Sequence, residues 1–287
     1  MSRPDTPPPP VGERIIDVVS VQSQVAYGSV GNNICVPVLH ALGLQVAPVP
    51  TVVFGNTPHY PTMHGGPLPL DWFQGLLDDL EARQAATRAR RVLIGYLGSP
   101  EQGIALAGWL RRMQKANPAL RVQIDPVIGD HDYGVYTDPA LLPVWRDHLL
   151  PLAEGLCPNH FELGQLAGRS PRTLDDCLDA ASALLNDTTR WVVVTSAAPE
   201  LCPPGKIQLA IVADGVREVR EHPLVPHPVK GVGDMFAAMI GGRVENGATL
   251  LDAVDRTCTD VVDVLHHVQS QGWQELALPR HIARRLE

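Results

Sequence analysis

The sequence predicts an α/β fold: one domain built on a mostly parallel central sheet flanked by helices. Short apolar, β-rich runs alternate with longer segments of helical period along the chain. Polar or small residues stand where those runs end, the position at which a parallel sheet gathers its ligands. No shift of composition divides the 287 residues, so one core of ordinary size accounts for them.

Residues 15–21 read as the first strand, meeting Gln22-Ser23-Gln24 at its end. Gly28-Ser29-Val30-Gly31-Asn32 is a glycine-bearing turn before a helix through Val36, Leu39 and Leu42, which Gly43 closes. Residues 46–54 form a second strand and 92–96 a third, separated by a helix over 70–88. A helix over 104–115 alternates apolar and charged faces, and the strand after it stops at Asp125-Pro126, because the residue before a proline favours extended backbone. Residues 170–186 place Leu174, Leu178, Ala181 and Leu185 on one helical face, and 191–195 form a buried strand. Residues 207–213 and 216–220 make a hairpin about Asp214-Gly215, and helices over 234–245 and 249–268 close the fold. This order predicts that Ser23, Asn56, Gly98, Asp125 and Thr195 share one rim.

The net charge of −8, without a basic stripe, argues against a nucleic-acid or anionic-membrane partner and for a small-molecule enzyme. Five scattered cysteines with no C-x-x-C pair indicate neither a disulfide framework nor a zinc site, so a reducing cytoplasm is the expected location. Residues 1–13, with prolines at 7 to 10 and no apolar core, read as a disordered tail ahead of a domain over 14–287.

Chemistry concentrates at Lys230-Gly231-Val232-Gly233-Asp234, directly before an apolar helical run. Glycines there let backbone N–H groups converge, and the helix adds its positive end, which suits an anion. A carboxylate beside a phosphate is repulsive unless it takes a proton from the group attacking that phosphate, so a phosphoryl-transfer centre is the economical reading. The residues alone are equally compatible with a turn in which Asp234 caps a helix. There is no G-x-x-x-x-G-K-[ST], and the first glycine turn does not spell G-x-G-x-x-G, so a nucleotide needs another architecture.

Six ordered blocks supply one. The stretch from Ser20 to Asn32 resembles the first-strand signature of pyridoxal kinases. Val49-Pro50-Thr51-Val52 with Asn56-Thr57-Pro58-His59-Tyr60, then Gly95-Tyr96-Leu97-Gly98-Ser99, Asp125-Pro126-Val127-Ile128-Gly129-Asp130, Pro158-Asn159-His160-Phe161-Glu162-Leu163 and the Gly231 motif follow in register. The wording of these blocks is most similar to the pyridoxine/pyridoxal/pyridoxamine kinases, and it implies a ribokinase-like fold. It further implies ATP and Mg²⁺ as cofactors, with or without a monovalent cation, vitamin B6 vitamers as substrates, and a homodimer.

The resemblance implies Asp234 as the general base for the 5′-hydroxymethyl group, with the amides of Gly231, Val232 and Gly233 holding the transferring phosphoryl group. Ser23 and His59 are implied contacts of the acceptor ring, with Val21, Val53 and Tyr96 as apolar walls. Asp125, Cys157, Thr195, Ser196 and Gly231 fall on the nucleotide side. Asn159, Glu162 and Tyr136 fall near the cation, where magnesium keeps most of its waters. On residue chemistry alone, Glu162 is a first-turn acid favoured by the helix dipole, and Asp125 a turn cap. Lys230, one of three lysines, reads as a solvated surface residue.

Two positions depart from the family pattern. Cys157 replaces a threonine and loses a hydroxyl contact, and Val232 replaces a threonine while leaving the amides in place. They motivate an alternative, a pyridoxal phosphate or nucleotide carrier without turnover. A hydroxymethylpyrimidine kinase is the enzymatic alternative.

Overall fold

A computed structural model describes residues 16–286. The tail expected over 1–13 lies outside the described residues. The chain runs β1 (Val18–Val25), α1 (Asn32–Ala41), β2 (Val46–Phe54), β3 (Gly65–Pro67), α2 (Leu70–Ala82), α3 (Ala85–Arg88), β4 (Arg91–Ile94) and α4 (Pro100–Ala116). It continues through β5 (Arg121–Ile124), the small hairpin β6 (Gly129–Asp130) and β7 (Gly134–Val135), α5 (Leu141–Val144), β8 (Gly155–Leu156), α6 (His160–Ala167) and α7 (Leu174–Ser182). It ends with β9 (Trp191–Val194), β10 (Lys206–Ala213), β11 (Val216–Pro223), α8 (Val232–Glu245), α9 (Leu250–Ser270) and α10 (Arg280–Leu286).

One sheet of nine strands has the order β11-β10-β9-β8-β5-β4-β1-β2-β3. The six strands from β9 to β2 pair in parallel, and β3, β10 and β11 join the edges antiparallel. Strand residues alternate between two cores, as a pleated sheet covered on both faces requires. Val19, Val21, Val92, Ile94, Val192 and Val194 pack with α2 to α7. Val18, Leu93 and Val193 pack with α1, α8, α9 and α10. Because α1 alone of the early helices lies on the second face, the winding reverses beside β1, and a crevice opens at its carboxyl end. Ser23, Asn56, Gly98, Asp125 and Thr195 all sit at the carboxyl ends of parallel strands, as expected from the sequence.

Several boundaries differ from expectation for local reasons. β1 continues to Val25, with an irregularity between Gln22 and Gln24, so Ser23 lies inside the strand rather than beyond it. Its polar stretch is satisfied internally: Gln22 Nε2 donates to Ser20 Oγ at 2.9 Å and Gln24 Nε2 to Asn33 Oδ1 at 2.8 Å. The helix expected over 70–88 is split where Gln84 takes φ 55°. The helix expected over 170–186 is confined to Leu174–Ser182, after the cap at Thr173. β4 stops at Ile94, because Gly95 closes against the Gln22 side chain.

The amino ends of the strands are tied by charge. Arg91, 1% exposed, bonds Glu245 through Nε at 2.9 Å and pairs with Glu154 at 3.2 Å. Replacing Arg91 with Met leaves the Glu245 carboxylate, 4% exposed, without its nearest cation. The expected result is a loss of roughly 3–5 kcal/mol in urea unfolding. A loss below about 1 kcal/mol would show that the network is relaxed by water.

Candidate active site

α8 brings its N-terminus to this crevice without a side-chain cap. Ser99, Asn159, Thr173 and Thr249 cap α4, α6, α7 and α9, each accepting a hydrogen bond from a first-turn backbone N–H. The N-cap of α8 is Gly231, with φ 92° and no capping side chain. That left-handed backbone is open to glycine without strain. A β-carbon at Gly231 would also overlap the carbonyl oxygen of Ser29, so the turn is seated directly on the loop after β1. Val232, Gly233 and Asp234 are the first three helical residues. Asp234 therefore does not cap this helix, which removes the plain structural reading of the motif, and the first amides stay available to an anion.

Asp234 keeps part of its surface open to the crevice. The protein around it pushes its carboxyl up to about 6 by desolvation, with the Gly31 amide pulling partly back. Gly31 in turn lies against the Ser23 hydroxyl, closely enough that a β-carbon would overlap it. Ser23, Gly31 and Asp234 thus adjoin in space, and the Cys35 thiol donates to the Asp234 carbonyl at 3.2 Å.

On the other side of Gly233 stands Asp125, whose Oδ2 lies 3.8 Å from where a β-carbon of that glycine would sit. Burial, then the Glu162 and Asp234 carboxylates, hold Asp125 well above the usual range. Glu162 is raised by burial, against the backbone donors that it accepts from. Those donors are Ile128 N at 3.0 Å and Asn159 N at 2.9 Å, while Asn159 Oδ1 accepts from Glu162 N at 2.9 Å. The pair is a capping box, so the first-turn reading of Glu162 is structurally correct. The same carboxylate is also buried and acts on Asp125.

Tyr136 follows β7, and burial followed by Glu162 and Asp125 raises its phenol, leaving a neutral hydroxyl. The Cys157 thiol is likewise held protonated, by burial and then Asp125, and accepts from Gln123 Nε2 at 3.6 Å. Thr195 N donates to Pro158 O at 3.0 Å, and Ser196 Oγ accepts from His160 N at 3.5 Å, which draws both residues to the Cys157–Asn159 segment.

His59 belongs to a second group. Its Nδ1 lies 2.7 Å from Thr57 Oγ1, and its ring is stacked at 4.2 Å on Tyr60. The Tyr60 hydroxyl donates to Glu275, Glu275 lies 4.0 Å from His59 Nε2, and Gly28 abuts the other Glu275 oxygen. Among the described residues no hydrogen bond or ion pair joins His59 to Ser23 or Asp234. The link is the turn from Gly28 to Gly31, which touches Glu275 at one end and Ser23 at the other. Glu275 was invisible in the sequence, since it follows α9 in a stretch with no motif and reaches the site only through the fold.

One expectation needs correction. Lys230 is not simply solvated: it is half-buried, with its ammonium 5.1 Å from the centre of the Tyr133 ring. Of the expected apolar walls, Val21 is wholly buried, Val53 is 47% exposed and Tyr96 is half-buried.

Four carboxylates, Asp125, Asp130, Glu162 and Asp234, act on one another or on Tyr136 here, and no cation figures among the influences on Asp125, Glu162 or Asp234. Among the described residues no three His, Cys, Asp or Glu side chains could hold a metal outright. Such a donor set suits a divalent cation that keeps its waters.

Comparison with known proteins agrees with this geometry. The model of the phosphomethylpyrimidine kinase family matches residues 56–272. A pyridoxine/pyridoxal/pyridoxamine kinase of Bordetella bronchiseptica is 51% identical over 263 residues, covering 92% of this chain and 93% of the relative. The structure of a Leishmania donovani pyridoxal kinase in complex with ADP and pyridoxine superposes with a TM-score of 0.82 at 24% identity, covering 93% of this chain and 91% of that one. An Entamoeba histolytica pyridoxal kinase gives 0.86 at 21% identity, covering 95% and 97%.

Proposed function

The chain belongs to the phosphomethylpyrimidine kinase family, among the pyridoxal kinases of the ribokinase superfamily, and on that premise we propose that it phosphorylates the 5′-hydroxymethyl group of pyridoxine, pyridoxal and pyridoxamine with ATP. The observation that carries the chemistry is the uncapped, glycine-opened N-terminus of α8 with the Asp234 carboxyl raised at its third residue.

Asp234 takes the hydroxymethyl proton, and the freed oxygen attacks the γ-phosphoryl group while the amides of Gly231 to Asp234 hold its oxygens. Ser23 meets the polar edge of the ring, and His59, steadied by Thr57, Tyr60 and Glu275, covers it. Thr195, Ser196, Cys157 and Asp125 hold the nucleotide. Glu162, Asn159 and Asp125 would hold Mg²⁺, with the neutral Tyr136 hydroxyl as a neighbour. Bound there, Mg²⁺ neutralises charge on the phosphates.

Homodimeric assembly belongs to the same reading. It is supported by Trp72 and Leu76, 67% and 39% exposed and one turn apart on α2. A cytoplasmic location rests on the unpaired cysteines. No described helix is long and apolar enough to cross a membrane.

The test is ATP consumption with Mg²⁺ and each of pyridoxal, pyridoxine, pyridoxamine and hydroxymethylpyrimidine at equal low concentration. Turnover with the pyridine alcohols supports the proposal, turnover with the pyrimidine alone redirects it, and binding without turnover leaves a carrier.

The base also sets a pH dependence. Only ionised Asp234 accepts the proton, so kcat/KM is expected to be flat above pH about 6 and to fall tenfold per unit below it. An acid limb centred near pH 4 would mean that the carboxyl is not raised in the free enzyme.

A further inference from the structure

We propose that a hollow behind the nucleotide side, between α6, the α6–α7 connection and the β6–β7 turn, is a second ligand site for a small aromatic phosphate. It encloses about 640 Å³. Arg146, Arg169 and Arg172 line it, from the helical segment after α5 and from the α6–α7 connection. None of Asp125, Cys157, Asn159, Glu162, Thr195, Ser196, Gly231 or Asp234 does.

The lining carries more positive than negative charge. The protein is acidic overall, and Arg91, Arg112, Arg217, Arg220, Arg243 and Arg285 each pair with at least one carboxylate. Among the described residues none of the three arginines of the hollow has a carboxylate within ion-pair distance. Asp176, which Arg169 influences electrostatically, is committed to the α7 cap through the Arg172 and Thr173 amides. Glu200 is the one carboxylate in the lining, set against three guanidiniums. Arg146, Arg169 and Arg172 are exposed at the hollow, and a planar guanidinium presents the fork of donors that a phosphate accepts.

An aromatic part of the ligand is indicated by the remaining lining. Phe161 and His131 meet edge to face at 5.8 Å, and His131 stacks with His160 at 4.8 Å. His160 Nε2 lies 2.9 Å from the Pro171 carbonyl, which can only accept, so this nitrogen carries a proton. Neutral His160 then accepts at Nδ1 from His131 Nε2–H across 2.6 Å. The rings are thereby fixed in orientation, and Nδ1 of His131 is the one nitrogen of the pair without a protein partner. A half-open hollow of this size, on a chain without a basic stripe, fits a small molecule rather than a nucleic acid.

An aromatic phosphate has two sources, a phosphorylated pyridine or an adenine nucleotide, and the test separates them. Protein saturated with ADP and Mg²⁺ is titrated calorimetrically with pyridoxine 5′-phosphate and, separately, with AMP. The variant Arg146→Gln/Arg169→Gln/Arg172→Gln is titrated alongside. One of the two probes is expected to bind the wild type at one more site than it binds the variant, or at least tenfold more tightly, with kcat unchanged in the variant. The probe that shows the difference identifies the ligand. Equal stoichiometry and affinity in both proteins, for both probes, overturns the proposal. Should the triple variant fail to fold, Arg146→Gln and Arg169→Gln alone are each expected to weaken binding threefold or more, and unchanged affinity in both overturns it equally. The readout counts binding sites, so it does not depend on the kinase reading, which turnover tests separately.

Discussion

Asp234→Asn is expected to reduce kcat by roughly 10²–10⁴-fold while leaving ATP affinity near the wild-type value and raising the melting temperature. The first effect follows from removing the one base at the third residue of α8, since an amide cannot take the hydroxymethyl proton. The anion site survives because it is made of backbone amides. The thermal effect follows from linkage. The folded carboxyl titrates at about 6, above its ordinary value of 3.8, so folding favours the protonated form. Its stabilising contribution is complete below pH about 4 and is lost as pH rises through about 6, leaving the ionised group a net burden at neutral pH. The difference of about two units corresponds to at most about 3 kcal/mol, and less in practice because the group keeps some solvent. In a chain of this length that is an upward shift of a few degrees, largest at pH 8 and vanishing near pH 4. Wild-type turnover in the variant would refute the assigned base. A lower melting temperature at pH 8 would refute the burial that raises its pKa.

The same logic separates the two ends of the sheet. At the amino ends, Arg91 and Glu245 are buried together and satisfy each other. At the carboxyl ends, Asp125 and Glu162 are buried together with like charge, a cost that folding alone has no reason to accept. A ligand carrying a cation would relieve it. Stability is concentrated at one rim and function at the other, as a parallel sheet with its winding reversed beside β1 allows.

How much of this was legible depended on range. The continuous apolar run Trp191-Val192-Val193-Val194 placed a strand, because a strand covered on both faces is apolar at every position. β3, β6, β7 and β8 have only two or three residues each and are held by neighbours distant in sequence, so no periodicity announced them. Gln22-Ser23-Gln24 looked like a strand end because polar residues usually lie outside a sheet. In the fold they are its floor at the crevice, with the Gln22 and Gln24 amides bonded internally. The Gly231 motif was legible as a turn before a helix. That it lacks a side-chain cap could be learned only from the structure; α1 and α2 also start uncapped, so what sets α8 apart is the raised Asp234 carboxyl in its first turn. Glu275 and the Lys230–Tyr133 contact depend on tertiary approach, which one sequence does not encode in any local pattern.

Gly231→Ala is expected to act in the opposite sense to Asp234→Asn, lowering kcat by 10²-fold or more, weakening ATP binding and lowering the melting temperature. At φ 92° a β-carbon is strained whatever the space around it, at a cost of about 1–2 kcal/mol or more. Here the space is also taken by the carbonyl of Ser29, which is backbone and cannot rotate away like a flexible side chain. The turn must lift from the loop after β1, and the first amides of α8 lift with it. Losing one fixed donor to developing negative charge costs roughly 10²–10³ in rate, and this substitution displaces several. Val232→Thr is the matching control: it changes a side chain one residue later, keeps every amide in place, and is expected to leave kcat within about threefold. If Gly231→Ala instead retains wild-type kcat and ATP affinity, the phosphoryl group is held by side chains rather than by the start of α8. If Val232→Thr loses as much as Gly231→Ala, the site depends on the surface of that side chain and not on the backbone beneath it.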